Sequence, residues 1–364
     1  MATEMSPPKA QKGMTPRERV LAAIDGRRPD RVPRALGFGP VALMDLSAEE
    51  TSERFGLEMR FVTFEPARRD AELKAYLRSL LPDVDVGNLA QLRAYDEWGY
   101  HPGVREVNPL AEAQTVEDVA RHRLPDLGAE YRHRALGAQV RSLHERGLAV
   151  GGEVPHLGGL LFEAAWRLRG FETFMEDLIL RPQLADYLIG TLADICAHSS
   201  AILAVADVDL LMLDDDIAHP TGLMISPAAW RRFVRPGLVK VIKAARAVKP
   251  GLRVFYHSDG NFEAIVPDLI EAGVNVLNPV QPDHMDPERL KRLYGDRVAI
   301  WGAVGSQTLM SHGRPEDVRR EVKRRIKTLA AHGGYIVCPA YDIDYAVPKE
   351  NLLAFLEAVD AYGG

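Results

Sequence analysis

From about residue 128 onward the chain alternates between helical stretches and short apolar runs, and this alternation limits the possible folds more than any other feature of its 364 residues. A helical segment at 130–146 leads to an apolar run at 148–153, one at about 160–205 leads to 209–214, and one at about 227–248 leads to 253–257. Shorter helical segments at 262–272, 287–294 and 315–332 lead to runs at 274–278, 297–302 and 334–338. Runs of this length between helices read as buried strands of a parallel sheet. Two earlier candidates, 32–38 and 59–64, flank a helical 47–55, and 66–81 reads as another helix. About eight strand–helix units predict an α/β fold of the closed (β/α)8 (TIM) barrel type. A doubly wound open sheet is the rival, but no G-x-G-x-x-G follows the first strand to support it.

Before the barrel, Thr15-Pro16-Arg17-Glu18 supplies a cap, a proline for the first turn and an early acid, and Val20, Leu21 and Ile24 repeat at helical spacing up to Gly26. This is an N-terminal helical extension. Residues 1–13 are polar, without a signal-peptide core, and read as a disordered leader; 14–364 read as one barrel domain. With 46% apolar and 26% charged residues, the chain is neither disordered nor fibrous. The balance of 45 basic against 51 acidic residues gives 45 − 51 = −6 and no basic face, which argues against nucleic acid as a partner. No apolar run approaches the roughly 18 residues of a membrane span. Cys196 and Cys338 share no C-x-x-C spacing, which excludes a disulfide scaffold or zinc ribbon and fits a cytoplasmic location.

In such barrels the chemistry collects where the strands end, because the βα loops surround that mouth. The strand ends here are polar: Glu153 and His156; Asp214, Asp215, Asp216 and His219; His257, Ser258 and Asp259; Asn278 and Gln281; Cys338, Tyr341 and Asp342. Side chains alternate along a strand, so His257 and Asp259 share a face and Ser258 takes the other. An imidazole and a carboxylate on one face can bind a metal or act as an acid/base pair. Equally, Asp259 can cap the helix that follows, with His257 held by it. The three aspartates read either as a crowded site with a raised pKa or as a strand end, a cap and a solvated residue. Cys338 fits core packing or function, Cys196 is structural, and the Trp166-Arg167-Leu168-Arg169-Gly170 segment can place an arginine at the mouth to grip a carboxylate or line a solvated helix face.

Several stretches resemble the uroporphyrinogen decarboxylase superfamily: Met14 to Gly26 with Pro29-Asp-Arg-Val-Pro33, Asp96-Glu-Trp-Gly99, Trp166 to Glu172, Thr221 to Pro227, His257-Ser-Asp-Gly260 and Asp268 to Gln281. The resemblance runs from about residue 14 to the end and implies a (β/α)8 barrel. True decarboxylases bind a polycarboxylate tetrapyrrole through an arginine-glycine-arginine stretch and a late histidine. Here those positions read Arg31-Val-Pro-Arg34-Ala-Leu-Gly-Phe-Gly39 and Ala340-Tyr341. The other branch is similar to corrinoid-dependent methyltransferases, whose thiol-activating members bind zinc by His-x-Cys and a later cysteine. That pattern maps onto His257 and Asp259, with Tyr341 at the later position and Cys338 three residues before it.

The resemblance therefore implies a methyltransferase moving a methyl group from a small methoxylated compound to a corrinoid protein or cobalamin. His257, Asp259, Tyr341 and Asp214 are the expected catalytic residues; Glu153, His156, Asp215, Asn278 and Gln281 the expected substrate contacts. Zinc is expected on His257, Asp259 and Glu153 or Cys338. The expected partners are a small methyl donor and a corrinoid protein, with no nucleic acid and no membrane; a homodimer stays open. Decarboxylation of a smaller polycarboxylate and a non-catalytic binding barrel are the alternatives.

Overall fold

The computed structural model describes residues 13–43, 45–66, 98, 107–340, 343 and 347–364. Seven strands form one parallel, curled sheet in chain order: β1 (Met59–Val62), β2 (Ala149–Glu153), β3 (Leu210–Asp214), β4 (Arg253–His257), β5 (Val276–Asn278), β6 (Ala299–Val304) and β7 (Tyr335–Pro339). The expected strand at 32–38 is instead a single parallel bridge, Arg34 to Val337 on the outer edge of β7. Ala35 N–H donates to Val337 O and Val337 N–H to Pro33 O, but Pro33 has no N–H of its own and the chain bends at once into 36–39. The eighth position is therefore occupied by one bridge rather than a paired strand. Residues 67–81 of the helix expected at 66–81, and 1–12 of the leader expected at 1–13, lie outside the described residues.

The alternation of side chains sorts the sheet into two cores. One face of each strand contributes Met59, Ala149, Leu210, Met212, Phe255, Val276, Ala299, Trp301, Ile336 and Cys338 to an inner cluster, closed by Val20, Ala23 and Ile24 of the helix Pro16–Ile24. That helix starts as expected, with Thr15 and Glu18 forming a capping box. The other face, with Val150, Leu211, Leu213, Val254, Tyr256, Leu277 and Val337, packs under the surrounding helices. Gly151 lies on the inner face, where an added Cβ would come within 3.0–3.2 Å of Phe61 and Met212; the glycine leaves room for those larger side chains.

Two long helical segments are divided. The stretch from 160 to 205 forms Phe162–Arg169, Phe171–Leu180 and Pro182–Val205, separated by Gly170 at φ +86° and by the start signal of Pro182. The stretch from 227 to 248 divides into Pro227–Phe233 and Arg235–Val248 at Pro236, whose ring cannot follow a helical residue four back. Pro182–Val205 is long and apolar enough, by length and composition, to cross a membrane. In the fold its Leu184, Leu188, Leu192, Cys196 and Leu203 are buried in the outer core.

Candidate active site

The inner-facing residues change from apolar to polar at the C-terminal ends of the strands. Asp214 on β3 pairs in register with His257 on β4, which pairs with Asn278 on β5. Equal register and a period of two place all three side chains side by side on the inner face. His257 is only 5% exposed, and its Nδ1 lies 2.6 Å from Asn278 Oδ1. Asn278 donates its Nδ2 to Trp301 O at 3.0 Å, which turns its oxygen toward the imidazole. Nδ1 therefore carries a proton, and Nε2 faces the carboxylates. Asp216 Oδ1 lies 3.7 Å and Asp259 Oδ1 3.9 Å from that nitrogen, too far for a hydrogen bond.

A backbone and amide frame holds these carboxylates. Asp259 N–H donates to Asp216 Oδ1 at 2.7 Å, Gln281 Nε2 donates to Asp259 Oδ1 at 3.0 Å, and Gly260 N–H donates to Gln281 Oε1 at 2.7 Å. Ser258 faces the other way, as alternation requires: its Oγ accepts from Ile217 N–H and donates to Asp259 O. Asp259 thus supports the site through the loop after β5 and does not cap the next helix.

The three aspartates divide by the same alternation. Asp214 and Asp216 turn inward with His257, and one donor atom from each of the three lies within 4.8 Å of the others. Asp215 turns outward, 2% exposed, and accepts from the N–H groups of Leu161, Phe162 and Glu163 at 3.0–3.2 Å. It seals the start of the helix Phe162–Arg169 instead of facing the inner cavity, contrary to its expected place as a substrate contact.

Burial governs the electrostatics. It opposes charge on His257, but Asp214, Asp216 and Asp259, with the bond to Asn278, outweigh it and raise the imidazole to about 9. Asp214 is held well above the carboxylate range by burial, with His257 opposing and Asp216, Glu163 and Asp215 adding to the rise. His156 is driven down to about 4 by burial and by the charges of His257 and Arg167, so it is neutral where His257 is cationic. Glu163 is raised to about 7 by burial and by Asp216, against the pull of Arg167, to which it is hydrogen-bonded at 2.9 Å.

The other expected ligands lie apart from this group. Glu153 ends β2 with Thr63 Oγ1 donating to its carbonyl at 3.2 Å. Cys338, 1% exposed, belongs to the inner apolar cluster, and its Sγ donates to Gly37 O at 3.7 Å. Neither joins the donor group of Asp214, Asp216 and His257. Tyr341 lies outside the described residues. Reading the sequence missed Asp216 as an inward partner of His257, although the alternation applied to 257 and 259 applies equally to 214 and 216. It missed Glu163 and Phe38 altogether; Phe38 stacks on the imidazole at 4.0 Å between centroids, and no local pattern marks either residue.

A parallel, curled α/β sheet in chain order, with its ionisable residues gathered inside its C-terminal rim, is of the TIM-barrel-like α/β class. Within that class, the chain belongs to the uroporphyrinogen decarboxylase (URO-D) family, whose match spans residues 103–362. It is similar to a methylated-thiol–coenzyme M methyltransferase of Methanosarcina mazei, 23% identical over 54% of this chain and 50% of that protein. It is also similar to a uroporphyrinogen decarboxylase of Thermus thermophilus, 28% identical over 47% of each chain. The chain thus spans about half the length of these two curated relatives. A solved methyltransferase from Methanosarcina mazei shares the fold over 96% of this chain and 99% of its own, with a TM-score of 0.67 at 20% identity.

Proposed function

We propose that this protein is a corrinoid-dependent methyltransferase, cytoplasmic, that takes a methyl group from a small O-methyl compound and passes it to a corrinoid carried by a partner protein. The observation that carries this reading is the buried His257, fixed at Nδ1 by Asn278 and directed by Nε2 toward the inner mouth among Asp214, Asp216 and Asp259. Removing a methyl group from an ether breaks its carbon–oxygen bond and leaves an alkoxide or phenolate. His257 holds a proton at Nε2 that can pass to that oxygen, and the neighbouring carboxylates keep the imidazole charged until it does. A reduced corrinoid, held by the partner protein, would supply the nucleophile that accepts the methyl group.

The same residues fit a divalent cation. Two carboxylate oxygens and one imidazole nitrogen suit zinc or a harder ion, and the Asn278 bond to Nδ1 is the support a metal-bound histidine requires. Asp214, Asp216 and His257 would hold the ion, in place of the expected set with Asp259, Glu153 and Cys338. Bound there, it would act as a Lewis acid on the ether oxygen.

The likeness to the Thermus thermophilus decarboxylase favours a second reading, removal of carbon dioxide from a polycarboxylate. Asp216 and Asp259, beside Nε2 of His257, oppose that reading by facing such a substrate with further carboxylates. One assay separates the two: the purified chain is given reduced cobalamin and a methoxylated compound, or a polycarboxylate, and methylcobalamin and carbon dioxide are both measured. Methylcobalamin that is lost when His257 is replaced by alanine in a folded chain supports methyl transfer. Carbon dioxide without methylcobalamin refutes it, and tight ligand binding without either product marks a binding barrel. Metal content of protein purified without chelator, about one ion per chain and lost in His257→Ala, tests the cation site.

A further inference from the structure

At the C-terminal rim of the sheet, two non-glycine residues hold a left-handed backbone: Val280 after β5, at φ +47°, and Ala303 in β6, at φ +66°. The two turns are tied together, since Ala303 N–H donates to Pro279 O at 3.0 Å. A branched side chain seldom takes such a φ, and it persists only where surrounding contacts over-determine it. At Val280 it breaks the alternation of β5. Two residues beyond the inward Asn278, position 280 should face inward and 281 outward. Instead Val280 is buried in the outer core, and the side chain of Gln281, 4% exposed, reaches back to Asp259 and Gly260 after β4. The carbonyl of Gln281 accepts from Met285 N–H at 2.8 Å, which fixes the backbone from which that side chain extends.

The bonds of this amide fall on the atoms that surround His257 Nε2. The Asp259 oxygen that accepts from Gln281 Nε2 is Oδ1, the same oxygen that stands 3.9 Å from the imidazole nitrogen. The Asp216 oxygen at 3.7 Å from that nitrogen is likewise held, by Asp259 N–H at 2.7 Å. Gln281 Oε1 takes the next N–H along the chain, that of Gly260. One side chain therefore fixes the carboxylate of Asp259 and the turn whose N–H restrains Asp216. A carboxylate released beside a cationic imidazole closes to about 2.8 Å, because a charge-assisted hydrogen bond is short and strong.

We infer that Gln281 is a positioning residue that holds Asp259 off His257 Nε2, so that this nitrogen stays open to a substrate oxygen or a cation. Gln281, expected among the substrate contacts, acts instead through Asp259. The left-handed turn at Val280 aims its amide. The effect on rate rests on the methyl-transfer reading, whereas the spacing of Asp259 from His257 does not.

The test is a crystal structure and steady-state kinetics of Gln281→Met in the full chain. Methionine matches glutamine in length and makes neither bond. Asp259 Oδ1 is expected to move from 3.9 Å to about 2.8 Å from Nε2. With Nε2 taken, kcat for methyl transfer falls about 10- to 100-fold while KM stays within about twofold, as for loss of a partner that acts through another residue. Replacing Asp259 by alanine as well removes the carboxylate that closes on Nε2, so the double variant Asp259→Ala, Gln281→Met regains at least about fivefold in kcat over Gln281→Met. Gln281→Ala, in which a water can accept from Gly260 N–H, serves the same test if methionine prevents folding. An Asp259 that stays near its original distance in a folded variant, or a double variant no faster than Gln281→Met, would overturn the role. Closure of Asp259 on Nε2 in variants of a chain that transfers no methyl group supports the role and refutes the methyl-transfer reading alone.

Discussion

Asp215 offers a sharp test of the division among the three aspartates, because its buried carboxylate has two opposed effects on stability. It accepts from three backbone N–H groups at the start of the helix Phe162–Arg169, and replacement by alanine leaves those donors without it. Each orphaned buried donor costs roughly 1–3 kcal/mol. Burial also raises the carboxyl from its ordinary value of 3.8 to about 6, with the three N–H bonds opposing. For an acid raised on folding, ionisation is disfavoured in the folded state, so stability falls as pH rises from the unfolded value through the folded one. That rise corresponds to about 3 kcal/mol, lost between about pH 4 and pH 6. At pH 7 this loss cancels part of the hydrogen-bond gain, and Asp215→Ala is expected to destabilise by about 3 kcal/mol, the middle of the range these costs leave. Asp215→Asn keeps one acceptor oxygen and removes the charge, so it stays within about 1 kcal/mol of wild type at pH 7 and is less stable than wild type at pH 4. Denaturant titrations at both pH values measure this. A wild-type minus Asn difference that stays flat with pH, or an alanine variant within about 0.5 kcal/mol of wild type, would refute the cap.

Three further outcomes follow from the same geometry. In metal-free protein the His257 imidazole should titrate near pH 9 by NMR; as a base raised on folding, its stabilising effect is complete below about 6.5 and disappears as pH rises through 9. A midpoint below 7 would remove it as a charged proton donor at neutral pH. Asn278→Leu deprives Nδ1 of its acceptor and should lower kcat about 10- to 100-fold with KM nearly unchanged, as loss of a histidine's supporting partner does. An unchanged kcat would mean that the imidazole is oriented by something else. Gly302→Ala adds a Cβ that would stand 1.9 Å from Pro279 O at a φ of +129°, and should destabilise by at least about 2 kcal/mol in thermal or denaturant unfolding.

Much of the sheet can be read directly from the chain. The runs ending at Glu153, Asp214, His257, Asn278 and Cys338 are strands with nearly the expected bounds, because a short apolar run between helices has few other stable uses. The shared face of His257 and Asp259 and the opposite face of Ser258 also follow from a local period of two. The expected strand at 32–38 fails for an equally local reason, since Pro33 interrupts pairing, but only the fold shows that one bridge to Val337 survives.

Residues that meet across the fold lie beyond that reach. Asp215 is a cap because the turn before Phe162 comes under the end of β3, and Asp216 joins His257 because β3 and β4 pair in register. Phe38, 219 positions before His257, covers it because the N-terminal segment crosses the mouth. Cys338 and Glu153 sit at strand ends like the other polar residues, yet they do not join the donor group. The sequence by itself determines the order of strands and helices, the faces on which side chains fall and the polarity of the strand ends, because backbone geometry repeats every two or 3.6 residues. The tertiary structure alone decides which strand ends meet and which carboxylate loses its water, because those depend on register and burial between segments far apart in the chain.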